Sequence, residues 1–186
     1  MSIEGPWPDH LLTLAEWEAL PEDNSRRFEL AEGVLVVAPH PPAGHQWVLT
    51  ELLVQLHDQL LPELTPLPAV EIVVFEDFPA TVRVPDIAVI PEAVLRQRPV
   101  RLAARDVVLA IEITAPGTRR IDRVLKLAEY AEAGIENYWI VDLEQPATIS
   151  AFELVGREYK LVVETSGTLS VTAQVPLTVD VQALFA

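Results

Sequence analysis

Three carboxylates stand in apolar runs: Glu29 in FELAEGVL (28–35), Asp86 in VPDIAVI (84–90) and Glu112 in VLAIEIT (108–114). Taking a lone carboxylate out of water is costly, so a buried acid is normally neutralised, paired or bound to a cation. Period-2 alternation puts Asp86 on one face with Val84, Ala88 and Ile90, and Glu112 on one face with Ala110 and Thr114. If the two strands are neighbours, both acids point into one cleft. Their repulsion then raises one pKa unless a cation sits between them. The chain has no cysteine, so His and carboxylates are its charged ligands, and oxygen donors favour a hard ion, Mg²⁺ or Mn²⁺.

A hydrolytic site also needs a group that orients or deprotonates water and stabilises the developing charge. In RRIDRVLKLAEYAEA, downstream of Glu112, the residues Asp122, Lys126 and Tyr130 lie four apart and share a helix face. Lys126 can therefore reach back over the end of the strand. The plainer alternative is an Asp122–Lys126 surface ion pair. His45 opens the amphipathic stretch HQWVLTELLVQLHDQLL on the side of its stripe Leu49, Leu52, Leu53, Leu56 and Leu60, as a site residue or as a core histidine. Glu29 has Arg26 and Arg27 as alternative partners, while Tyr138 and Trp139 read as core.

The elements that must position these groups follow in order. LTLAEWEAL predicts a helix with Thr13 as N-cap and Glu16 completing a capping box, ended by Pro21. FELAEGVLVVA predicts a hairpin turning at Glu32-Gly33, which sets Glu29 across from Val36 and on a face with Ala31 and Val34. PHPPAG is an extended loop before the His45 helix. VEIVVFED and TVRVPDIAVI read as neighbouring strands joined at Phe78-Pro79, and PEAVLRQRPVRLAARD leads into the strand VVLAIEIT. Ala115-Pro116-Gly117 breaks that strand, Thr118 can cap the next helix, and Gly134 with Ile135 fits its C-terminus. With NYWIVDLE this makes a βαβ-type unit, followed by strands in ATISAFELV, YKLVVET and PLTVDVQAL, with a turn at Gly156. The class is α/β with a mixed sheet.

At 186 residues and half hydrophobic, the chain reads as a single globular domain over 1–186. No apolar run reaches a membrane span, and MSIEGPWPDH lacks the features of a signal peptide, so a cytoplasmic protein is expected. A formal charge of −15 opposes tight non-specific binding to nucleic acid. The cations nevertheless concentrate between Arg96 and Lys126, either as a local basic surface or as a solvated face paired with acids. Exposed β edges and arginine-rich connections suggest a homodimer.

The hairpin FELAEGVL, the His45 helix, VPDIAVI, and the segment IEITAPGTRRIDRVLKLAEYAEAGIENYWIVD (111–142) together resemble the Uma-two family, bacterial endonucleases of the PD-(D/E)XK nuclease superfamily. The resemblance spans residues 10–145 and is most specific from Glu112 to Asp142. It implies a restriction-endonuclease-like core, a mixed sheet flanked by helices, with a divalent metal on Asp86 and Glu112. The motif lysine is expected at position 114, where this chain has Thr114; in this family it is displaced onto the following helix, where Lys126 stands. Glu29 matches the acid upstream of the core motif and His45 a histidine opening the next helix.

The expected activity is Mg²⁺- or Mn²⁺-dependent hydrolysis of DNA, with Arg119, Arg120 and Arg123 on phosphates near the cleft. Two other readings use the same residues. Thr114 and the acidity of the chain suit a nuclease fold kept as a binding or assembly module, and the same acids suit hydrolysis of a small phosphodiester.

Overall fold

Thr13 caps the first helix, α1 (Leu14–Glu18): its hydroxyl accepts from the Glu16 N–H, and the Glu16 carboxylate accepts from the Thr13 N–H at 2.8 Å. The capping box is therefore formed as its sequence requires. The computed structural model describes residues 7–21, 26–38, 40–114, 119–172 and 176–185. The strand break at 115–117 and the cap at Thr118 lie outside them.

Strands β1 (Arg27–Ala31) and β2 (Val34–Ala38) form the hairpin, with Glu29 opposite Val36. Its turn has positive φ at both Glu32 (47°) and Gly33 (77°), the twist that suits a two-residue hairpin loop. Gly33 is also clamped on both sides: its N–H donates to Ala80 O at 2.8 Å and its carbonyl accepts from Leu12 N–H at 2.7 Å. A Cβ there would lie 2.8 Å from Leu11 Cβ. Gly33→Ala is therefore expected to destabilise the protein by about 2 kcal/mol, read as a lower denaturant midpoint.

Helix α2 (Ala43–Gln59) follows, then β3 (Leu64–Pro68), β4 (Ile72–Phe75), β5 (Thr81–Arg83) and β6 (Ile87–Pro91). The expected continuous strand TVRVPDIAVI is two strands in two different sheets. Pro85 cannot donate to a ladder, and the chain uses the break at Val84–Asp86 to leave one sheet and enter the next. Asp86 therefore sits in the bend, not on a strand face. After it come α3 (Glu92–Leu95), β7 (Leu102–Ala103), β8 (Leu109–Thr114) and β9 (Asn137–Asp142), then β10 (Thr148–Val155), β11 (Glu158–Thr165), β12 (Thr168–Val171) and β13 (Leu177–Asp180). PLTVDVQAL stops being a strand at Asp180, whose carboxylate accepts from the N–H groups of Gln182 and Ala183 and starts a 3₁₀ turn.

The strands divide among three sheets, ordered β2-β1-β5-β4-β7, β11-β10-β9-β8-β6-β3 and β12-β13. The first two are mixed: β4 runs parallel to β7 and β8 parallel to β9, while their other pairs are antiparallel. Both faces of the six-stranded sheet are buried, so its central strands are mostly apolar, with Glu112 the charged exception in the middle of β8. Ile87, Val89, Leu109, Ile111 and Trp139 pack with Val48, Leu52 and Leu56 of α2. On the opposite face Ala88, Ala110 and Ile140 pack with Tyr130 and Tyr138. Glu112 shares that second face.

The segment between β8 and β9 departs from the regular helix expected of it. Residues Ile121–Lys126 form a π-helix, continued by α4 (Leu127–Glu132). Asp122 and Lys126 are buried, whereas Val124 and Leu125 are about half exposed, 56% and 51%. The end is regular: Gly134 N–H donates to Ala131 O and Ile135 N–H to Tyr130 O, with Gly134 at φ 82°, a Schellman arrangement. Among the described residues no helix is long and apolar enough to cross a membrane.

Candidate active site

Each acid arrives on a different element because two sheets meet at the Pro85 bend. Glu29 comes from β1 in the five-stranded sheet, Asp86 from the crossing itself, and Glu112 from the middle of β8 in the six-stranded sheet. All three are buried, at 7%, 5% and 4% exposure. Lys126 supplies the cation that such burial demands. Its ammonium donates to Glu112 Oε1 at 2.8 Å and to Glu29 Oε1 at 3.0 Å, and stands 3.9 Å from Asp122 Oδ1. The Asp122–Lys126 pair is thus part of a buried cluster and not a surface pair. Tyr130 completes the row of residues four apart by donating its hydroxyl to Glu112 Oε1 at 3.1 Å.

Glu112 thereby spends one oxygen on two donors, and among the described residues its Oε2 has no hydrogen-bond partner. Thr114, in the place of the motif lysine, turns away and donates to Val141 O at 3.4 Å. Asp86 is held from three sides: Ile113 N–H donates to Oδ2 at 2.8 Å, His45 Nε2 lies 3.2 Å from the same atom, and Arg27 donates to Oδ1 at 3.2 Å. His45 is therefore a buried partner of Asp86 as well as part of the α2 stripe. Its Nδ1 is buried without a partner among the described residues.

Two partners differ from those expected. Arg27 pairs with Asp86, and Glu29 takes Arg83 and Lys126 instead. Arg83, 2% exposed, forks onto Glu129 through Nε and Nη2 at 2.7 Å each and reaches Glu29 Oε2 at 3.1 Å through Nη1. Glu29 Oε1 also accepts from Val84 N–H at 3.1 Å. The result is a continuous chain from Glu129 through Arg83, Glu29 and Lys126 to Glu112. Arg83 and Glu129 were not among the expected site residues. A charge inside the apolar run TVRV is nevertheless the same signal that singled out the acids.

Environment sorts the carboxyls. Burial pushes Glu29 up, but the Lys126 and Arg83 charges overcome it and hold Glu29 below the usual range. Burial likewise works against Asp86, yet its hydrogen bond to His45, the Ile113 N–H and Arg27 keep it low. Glu112 goes the other way: burial, aided by Asp86, Asp122 and Glu29 and opposed by Lys126, raises it to about 8. Burial alone would favour a neutral Lys126 amine, and the carboxylates of Glu112, Glu29 and Asp122 reverse that and keep it an ammonium. Burial, reinforced by the charge of Glu112, keeps Tyr130 a neutral donor.

The remaining arginines lie elsewhere. Arg119 pairs with Asp142 at 2.8 Å and with Glu144, Arg123 pairs with Asp142 at 3.2 Å, and Arg120 is exposed. The charges of Arg119 and Arg123 are thus largely balanced within the pocket they line with Gln145 and Thr148.

Among the described residues no three His, Asp or Glu side chains form a ready-made metal cage. The donors present are of another kind: two carboxylates of hard oxygen, one with a lone oxygen unbonded, in a cluster with more carboxylate than cation. Oxygen donors of this kind are those a hard divalent cation prefers.

Buried acids carried to the junction of two mixed sheets, with a lysine over them from the following helix, belong to a nuclease-like α/β fold. A crystal structure from Anabaena variabilis ATCC 29413, described as "a putative nuclease belonging to DUF820", has this fold, with a TM-score of 0.73 at 19% identity over 94% of this chain and 97% of that one. The model of the Uma2 (Uma-two) family, described as "Putative restriction endonuclease", matches residues 14–183, and the chain belongs to that family. A comparison with curated protein sequences found no match.

Proposed function

We propose that this protein is a metal-dependent endonuclease that hydrolyses phosphodiester bonds in DNA. The observation that carries this reading is that Lys126 donates to Glu112 while Asp86, held by the N–H of Ile113 next to Glu112, is near enough for its charge to bear on Glu112, with Glu112 Oε2 left over. Asp86 and Glu112 would hold Mg²⁺ or Mn²⁺. When bound, such an ion lowers the pKa of a coordinated water and offsets charge on the phosphate.

The protein's own groups do the rest. Lys126, kept an ammonium, donates from Nζ to the attacking water or to a phosphate oxygen and stabilises charge there; it takes no proton. Glu29 and Arg83 set where Nζ points. The main-chain N–H of Ile113 and the ring of His45 fix Asp86 Oδ2 so that the carboxylate need not reorganise.

Supercoiled plasmid with Mg²⁺ or Mn²⁺ tests this directly. Wild type is expected to nick it, and Asp86→Asn and Glu112→Gln to lose at least about 100-fold of that rate. Equal nicking by all three proteins would mean a contaminating nuclease. A second reading, a binding module without catalysis, is favoured by the compensation already in place: Arg27 and Lys126 satisfy the acids internally. Calorimetry separates the two, because no uptake of Mn²⁺ at millimolar concentration would leave only the module.

A further inference from the structure

We propose that a groove beside Arg27 binds the phosphates of the DNA strand, with Arg26 and Arg101 as its cationic walls; this rests on the nuclease reading above. The groove has a volume of about 660 Å³ and is lined by Arg26, Arg27, Arg101 and His40, with Glu71 the single carboxylate among its described lining residues. On a chain of net charge −15, that is a local reversal of sign. Arg119 and Arg123 share their pocket with Asp142 and Glu144 and, unlike Arg26, are paired there.

The groove also leads to the acids. Arg27 lines it while donating to Asp86 Oδ1 at 3.2 Å and to the carbonyls of Val84 at 3.2 Å and Pro85 at 3.4 Å. Ala69, another lining residue, holds Asp86 from behind: its N–H donates to Asp86 O at 3.0 Å. Ala69 does so at φ 50°, a left-handed conformation unfavourable for alanine, which persists only where surrounding structure enforces it. The same bend thus forms the edge of the groove and the mount of Asp86.

The groove's cations differ in how open they are to a ligand. Arg26 is exposed and has no ion-pair partner among the described residues. Arg101, its side chain 22% exposed, pairs with Glu71 and stands 3.8 Å from Glu18, so a phosphate that reaches it competes with both carboxylates. The volume is that of a small-ligand pocket. It therefore admits a short stretch of one strand and not the width of a duplex. A strand lying there passes its next phosphodiester to Asp86 and Glu112, and Arg27 can exchange Asp86 for a phosphate.

The test is anisotropy of a fluorescein-labelled DNA oligonucleotide in chelator, over a range of salt. Arg26→Gln with Arg101→Gln is expected to weaken binding by about 10-fold and to reduce the salt slope by about 2, since each arginine neutralises one phosphate. Arg119→Gln with Arg123→Gln is expected to change affinity by less than about 3-fold. Neither pair touches the acid cluster, and circular dichroism checks that each double variant is folded; Arg26→Glu alone gives a second, single-site reading in the same direction. Wild-type binding left unchanged by the Arg26 and Arg101 variants would overturn the groove and leave the nuclease reading standing. Wild type that binds no oligonucleotide even at low salt would overturn both.

Discussion

Lys126→Met is expected to remove Mg²⁺-dependent plasmid nicking by about 10²–10³-fold, and also to lower the unfolding free energy by about 3–5 kcal/mol. The first effect follows from losing the donor that the proposed mechanism turns towards the phosphate. The second follows from what remains: Glu112, Glu29 and Asp122 stay in a dry pocket without the ammonium that joined them. The stability loss has a pH signature, measurable by denaturant unfolding in chelator. Glu112 is already raised to about 8 by burial and neighbouring acids, and without Lys126 it rises further. A folded-state pKa above the unfolded value means that the folded state binds more protons between the two values. Stability therefore falls as pH rises through that window. The deficit of the variant should be level from pH 5 to about pH 8, where wild-type Glu112 gives up its proton, and grow from there to about pH 10. A deficit that is flat across this range would mean that Glu112 does not carry the excess charge.

Arg83→Met is expected to be as damaging to the fold, although Arg83 touches none of the proposed metal ligands. Its guanidinium is buried and bridges Glu129 and Glu29. Removing one partner of a buried ion pair typically costs about 3–5 kcal/mol, because the abandoned charges have no water. Thermal or denaturant unfolding reads this loss. Glu129→Gln should return part of it in the double variant, since the two residues share one interaction. Arg83→Lys keeps a charge but not the fork, and is expected to recover stability only partly. Residual nicking in the Arg83→Lys protein, set against its unfolding midpoint, separates the positioning of Glu29 and Lys126 from support of the fold. Activity lost while the midpoint is kept would assign Arg83 to positioning.

Local chemistry was legible wherever short-range physics decides. Thr13 and Glu16 make a capping box, Glu32-Gly33 makes a hairpin turn, and Gly134-Ile135 closes a helix, because each motif is satisfied by atoms a few residues apart. The row Asp122, Lys126 and Tyr130 was legible for the same reason. Its surroundings were not, because the helix turns two charged groups inward and leaves Val124 and Leu125 outward, against the hydrophobic pattern. That orientation is favourable only because Glu112 and Glu29, distant in sequence, are waiting at the other end.

By itself, the sequence determined that Glu29, Asp86 and Glu112 must find partners, since no carboxylate is stable alone in an apolar run. It did not show the break at Pro85, since TVRVPDIAVI reads as one strand. Only the tertiary structure decided which partners. It sent the two halves of TVRVPDIAVI into different sheets, brought Arg83 to Glu29 and Arg27 to Asp86, and opened the helix into a π segment over Glu112. The reason is physical: which residue types cannot be buried alone is a property of each side chain. Which charge meets which is settled by long-range packing between sheets, and that has no signature in local spacing.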